Sequence, residues 1–237
     1  MIILPPPGTD TFVSFGVAAL SYLVFVKWVE WLLPRDWNYR IAISRGLAVA
    51  WAGAFFVIAR SGALTHFDRT PPPMAIMIAG VVLISVAIGL SSFGRNAAAM
   101  PMMSLIGLQA FRLPLELLMH RGVTLGVVPV ELSYTGYNFD IITGIGATLI
   151  SVAMAYGIRI PHGVIWLWNI FGFYCLAAIL TIAVLGSPML HRFGADPRHV
   201  NTWVLFFPYV LVPVMLVVTA LSGHIVITRK LLSSSAL

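Results

Sequence analysis

Four polar residues interrupt one apolar stretch of the chain: Gln109, Arg112, Glu116 and His120, at intervals of three, four and four. In an α-helix that spacing lays them along a single stripe. An Arg or a Glu inside a bilayer costs a few kcal/mol on insertion scales, so such residues turn toward a bundle interior or a wet cavity and find partners. The i, i+4 spacing predicts that Arg112 pairs with Glu116. Pro114 lies between them, removes one helical hydrogen bond and predicts a kink that frees a carbonyl. A stripe of this kind can relay protons, hold an ion or bind a substrate. Equally, it can be a buried polar clamp between helices.

The segment that follows, Arg121 to Asp140, sets Glu131, Tyr134, Asn138 and Asp140 among Gly and Pro. It reads as a re-entrant or surface-lying loop, tolerated at membrane depth where protein or water satisfies its backbone, and able to cover the polar end of the stripe. The plainer alternative is an exposed hairpin in which Asn138 or Asp140 caps the next helix. The candidate substrate or ion site is therefore Gln109, Arg112, Glu116, His120, Glu131, Tyr134, Asn138 and Asp140.

Imidazole and carboxylate groups also raise a metal site, with His120, Glu131, Asp140 and His66 as candidate ligands. No HExxH, HxxxH or HxH spacing links any two histidines, and no metal is assigned. His162 and His224, expected near the inner ends of neighbouring spans, could in principle ligate a haem. Met100, Met102 and Met103 offer thioethers to copper, although packing at a helix entry explains them better. No cofactor follows from these residues.

The elements that must position this chemistry are membrane helices. Hydrophobic residues make up 59% of the 237 and charged residues only 9%, far from the roughly 25% charged fraction of soluble domains. Mean hydropathy is +0.95. Apolar runs predict an all-α transmembrane bundle of about seven spans, six being possible, in a single domain over 1–237 that ends in a short polar tail, 229–237. The expected spans lie near Phe12 to Leu33, Ile41 to Ala59, Met74 to Ser92, Pro101 to Met119, Phe139 to Tyr156, Gly163 to Leu185 and Thr202 to Thr228. Pro71, Pro72 and Pro73 suit a helix start. Gly144 and Gly146 read as small residues that permit close helix contact.

Trp28, Trp31, Trp37, Trp166, Trp168 and Trp203 fall near expected span ends, where indole rings prefer the headgroup level, and Trp51 falls mid-span. With the N-terminus outside, Lys27, Arg35, Arg40, Arg45, Arg95, Arg159, Arg229 and Lys230 are cytoplasmic, against Arg60, Arg69, Arg121, Arg192 and Arg198 outside. This favours N-out, C-in. The net charge of +6 is then a matter of topology, and nucleic acid is not an expected partner. Lys27 and Glu30 are spaced to form an interfacial pair. A lone Cys175 excludes a disulfide within the chain. The start of the chain lacks a basic n-region and a cleavage pattern, so the first span is expected to be retained.

The run from Phe111 to Gly144, with its F-R-x-P-x-E and N-F-D-I elements, resembles a segment of uncharacterised bacterial multi-pass membrane proteins. The resemblance covers about a seventh of the chain and implies a bacterial inner-membrane location but no activity. Its matching positions are Arg112, Pro114, Glu116, Asn138 and Asp140. The seven-span hydrolases related to alkaline ceramidases carry a late HxxxH, whereas the last span here holds only His224.

These features lead to a multi-pass membrane protein that handles a small solute, ion or proton through the polar site on the fourth span. It would act alone, as a homo-oligomer or as a subunit of a membrane complex. One alternative is a membrane-embedded metal-assisted hydrolase using His120, Glu116, Glu131 and Asp140. The other is a structural subunit that packs against a partner.

Overall fold

The computed structural model describes residues 10–234, and every regular element among them is helical. The expectation for the leading segment concerns residues that lie, but for Asp10, outside this range, as do the last three residues of the tail. Six helices are long and apolar enough to cross a membrane, as expected of an integral membrane protein. They are Thr11–Leu32, Arg40–Arg60, Pro73–Leu90, Met102–Thr124, His162–Leu185 and Val212–Ser233. The expected fifth span is Asp140–Ala155, apolar but only 16 residues long. At 1.5 Å per residue it reaches about 24 Å, short of the ~30 Å hydrocarbon core.

Local chemistry sets the helix limits. Helix α1 (Thr11–Leu32) begins at Asp10, whose carboxylate accepts from the Phe12 amide at 2.8 Å. Helix α2 (Arg40–Arg60) follows a short turn. Helix α3 (Pro73–Leu90) starts with Pro73 in its first turn, as the proline run predicts. Helix α4 (Ser92–Ala98) is capped by Ser91.

The fourth span is not one continuous α-helix. It consists of α5 (Met102–Leu108), a 3₁₀ turn at Gln109–Phe111, and α6 (Arg112–Thr124). The break lies one turn before Pro114, where the proline ring crowds the carbonyl four residues back. Helices α7 (Asp140–Ala155) and α8 (His162–Leu185) come next.

The last span departs most from expectation. It starts not at Thr202 but at Val212, with a π-helical segment, Val212–Val217, that leads into α9 (Val218–Ser234). Residues 202–211 instead form a loop with a 3₁₀ turn at Trp203–Leu205 and a cis bond before Pro208. Pro208 and Pro213 deny the backbone the donors that a continuous helix would need.

The last span is the centre of the molecule. Of its most apolar window, 72% is buried, against 11% for α2. Helices α3 and α8 both pack on α9, as do α4 and α5, while α1 packs on the π segment and carries α2 on its outer side. Helix α7 lies against α5, α6 and α8.

Four of the tryptophans expected at the headgroups are buried within the protein: Trp28, Trp31, Trp168 and Trp203. The Trp168 indole donates to the Thr143 carbonyl at 3.0 Å, and mid-span Trp51 donates to the Val214 carbonyl at 2.9 Å. For Trp168 a backbone carbonyl thus takes the place of a headgroup.

Several basic residues expected on the cytoplasmic side meet at one end of the bundle, where they bind carbonyls at helix ends. Lys230 donates to Ala98 and Met100, Arg229 to Gly89 and Ser91, and Arg35 to Ala99. Cations at helix C-termini also complement the macrodipole. At the same end Lys27 meets Glu30 at 3.2 Å, as its spacing predicts.

Candidate functional site

Four of the eight candidate residues converge. Arg112 and Glu116 project from one face of α6, and Asn138 and Asp140 arrive from the loop and first residue of α7. The expected Arg112 to Glu116 ion pair is replaced by a longer-range arrangement. Arg112 Nη1 donates to Asp140 Oδ1 at 2.7 Å, and Asn138 Nδ2 donates to Glu116 Oε1 at 2.6 Å. All four residues are buried.

Asn138 ties three elements together. Its second amide hydrogen serves the Leu132 carbonyl at 3.1 Å, and its Oδ1 accepts from the backbone N–H of Asp140 at 3.1 Å. Asn138 therefore supports the start of α7, and the Asp140 carboxylate is released to Arg112. Replacing Asn138 with Ala leaves the Glu116 carboxyl buried without this donor, and we expect a loss of about 1–2 kcal/mol. Unfolding in mixed micelles checks this; a change under about 0.5 kcal/mol would mean the contact contributes nothing.

The helices approach closely enough to hold this geometry because Gly144 has no side chain. A Cβ there would lie 2.5 Å from the Leu113 amide nitrogen and 3.1 Å from the Arg112 carbonyl carbon. Gly146 plays the same part against the Trp168 ring. Both match the close contact that their small size predicts.

The other candidates lie elsewhere. Glu131, in a 3₁₀ turn at Val130–Leu132, pairs through Oε1 with His199 Nδ1 at 2.5 Å. His199 closes a short turn whose cap, Asp196, has its carboxyl pKa lowered to about 2 by hydrogen bonds from the Arg198 side chain and backbone. His120 and Tyr134 pack together with ring centroids 4.7 Å apart and planes tilted by 32°. Gln109 is buried against Gly223 on α9 and does not line the cavity described below.

The proposed metal ligands are therefore divided among separate partners. His66 faces Asp68, Glu131 faces His199 and Asp140 faces Arg112. Among the described residues no group of three His, Cys, Asp or Glu side chains could hold a metal ion. The haem pairing fails as well. His162 is exposed, whereas His224 is enclosed, its Nδ1 2.7 Å from Asn169 Oδ1 and its ring flanked by Trp168 and Phe173.

The converging residues line a cavity between α3, α6, α8 and the last span, with a water-accessible volume of ≈ 80 Å³. Met77, Met119, Leu176, Ile179 and Leu216 make its walls apolar, and Arg112, Glu116, Asn138 and Asp140 bring polarity to them. Two further polar residues reach it from the loop before the π segment: Asn201 and Trp203.

Several atoms of these residues are buried and lack a partner in hydrogen-bonding geometry. They are Arg112 Nε and Nη2, Glu116 Oε2, Asn201 Oδ1 and Trp203 Nε1. Buried polar groups are rarely left so. Reading Thr202 to Thr228 as one helix hides Trp203, although Pro208 and Pro213 within that stretch are the signal against it, and Asn201 carries no spacing that links it to the fourth span.

No family model matches the chain, and no curated protein or solved structure matches it.

Proposed function

We propose that this protein binds and handles a small solute through the cavity at Glu116 and Arg112, within a bundle whose N-terminus faces outward. The observation that carries the reading is chemical. Four residues that carry buried donor or acceptor atoms with no protein partner, Arg112, Glu116, Asn201 and Trp203, line one cavity inside an apolar bundle. Apolar walls around them favour a molecule over a hydrated ion or a proton wire. On this reading Asp140 and Asn138 are positioning residues that orient Arg112 and Glu116, and the short α7 completes a seventh crossing. The resemblance around Phe111 to Gly144 supports a bacterial inner membrane as its place.

The test is Glu116→Gln, which keeps size and an acceptor for Asn138 but replaces the second carboxyl oxygen with a donor. Purified wild-type protein is screened by thermal shift against polar solutes and amphiphiles, and the variant against the ligands that register. We expect Glu116→Gln to weaken binding by about tenfold or more, or ~1.4 kcal/mol, while the melting temperature of the free protein moves by only a few degrees. A variant with altered stability but unaltered binding would make the cluster a structural clamp.

One observation favours the reading of a subunit that packs against a partner. Helix α2 lies outside α1 and leaves Val49, Phe56 and Val57 exposed along its length. Lipid covers such a face as readily as protein does, so the cavity remains the better guide.

A further inference from the structure

The size of the cavity limits what can enter it. Ligand pockets that enclose a whole small molecule run from about 300 Å³ upward, whereas this one offers ≈ 80 Å³. It has room for a polar head and the first carbons behind it. The remainder of a larger ligand must lie outside.

A groove of ≈ 250 Å³ adjoins it, between the start of α3 and the end of α8. Its walls are Phe67, Ala75, Val184, Met189 and Leu190, with Ser187 as its one hydroxyl group. Cavity and groove share two wall residues, Met74 and Ile78 of α3. Helices α3 and α8 each pack on α9 rather than extensively on one another, so the groove is the seam between them. An apolar chain lies in such a seam as easily as among lipid tails, while a water-borne polar solute gains nothing there.

The charges decide the head. Arg112 is already committed to Asp140, and the Glu116 carboxyl stands beside them. An anionic head would add a negative group next to two carboxyl side chains, and an ammonium head, which has no acceptor, would leave the free donors of Arg112 and Trp203 unsatisfied. A neutral head with a hydroxyl group can accept from Arg112 Nη2 or Trp203 Nε1 and donate to Glu116 Oε2 or Asn201 Oδ1. Asn201 is fixed for this by its own amide, which donates to the Ala183 carbonyl at 3.0 Å.

We propose that the ligand is a single-chain amphiphile with a neutral, hydroxylated head. The head sits among Arg112, Glu116, Asn201 and Trp203, and the chain leaves past Met74 and Ile78 into the bilayer between α3 and α8. This rests on the cavity being the binding site, and it adds the class of ligand and its route.

The test uses the full chain in nanodiscs of fixed phospholipid composition. Saturable binding of monoolein is compared with that of oleate, oleylamine and free glycerol, which differ from it in head charge or lack the chain. We expect monoolein to bind at about one per protein and about tenfold or more tighter than either charged analogue. Ile78→Trp, which fills the seam, should weaken monoolein binding by a similar factor. Oleate or oleylamine binding as tightly as monoolein would overturn the assignment of the head, and this comparison needs no variant. Unchanged monoolein affinity in a folded Ile78→Trp protein would overturn the route. Binding of water-soluble polyols alone would remove the amphiphile but keep the cavity as a solute site. No binding by any probe in this set or the thermal-shift screen would remove both readings.

Discussion

Arg112→Leu should destabilise the protein by about 3–5 kcal/mol, because it leaves the Asp140 carboxylate buried without its cation. The two side chains meet at 2.7 Å, and Arg112 has about 1% of its surface exposed. The expected loss is mostly the penalty for the abandoned charge and not the worth of the pair. Replacing both residues, as in Arg112→Met with Asp140→Leu, should therefore recover most of the stability. A double-mutant cycle measured by reversible unfolding in mixed micelles makes the distinction. Additive single effects would mean the two residues do not interact. Recovery of stability without recovery of ligand binding would show that the charges are kept for the cavity and not for the fold.

Gly144→Val should cost about 3 kcal/mol or more, and Gly144→Ala about 1–3 kcal/mol. At most helical glycines the change to Ala is favourable by up to about 1 kcal/mol. Here the new Cβ would meet the backbone of Leu113 and Arg112, which no rotamer change can move aside. The two helices must separate, and that separation draws Asp140 from Arg112 and Asn138 from Glu116. Stability and ligand affinity should fall together. Stabilisation by Gly144→Ala, measured by the same unfolding assay, would show that α6 and α7 do not approach this closely.

Much of the bundle was legible because its boundaries rest on local chemistry. Pro73 opens a helix wherever it can spare an amide, and the pairing of Lys27 with Glu30 needs only one turn of helix. The polar residues of the fourth span stand out against an apolar run, which is how Arg112 and Glu116 were found. Their partners were harder to read. Sequence spacing favours Arg112 with Glu116, but Asp140, 28 residues away, brings a carboxylate to a guanidinium that is already enclosed. Such a choice belongs to the packing of α7 on α6, hence to Gly144, and not to either residue's neighbours.

The same holds for Glu131, whose partner His199 lies 68 residues on. Tryptophan misled for a related reason. An indole near a span end is satisfied by a carbonyl inside the protein as well as by a headgroup, as Trp168 shows. Hydropathy alone draws the last span through Trp203 and conceals its place in the cavity, because an apolar loop tucked into protein carries the same signal as a membrane helix.

The central place of α9 has a consequence for how the protein is made. Ribosomes release the chain from its N-terminal end, so the helix on which α3, α4, α5 and α8 pack is the last of the described helices to reach the membrane. Until it arrives, Asn169 lacks His224, Gly89 and Ser91 lack Arg229, and Ala98 and Met100 lack Lys230. Helices α3, α4, α5 and α8 must wait beside an unfilled axis, unable to complete their contacts. Assembly is therefore a closing event, driven from the axis outward, and the cavity beside Glu116 takes shape only in that final step.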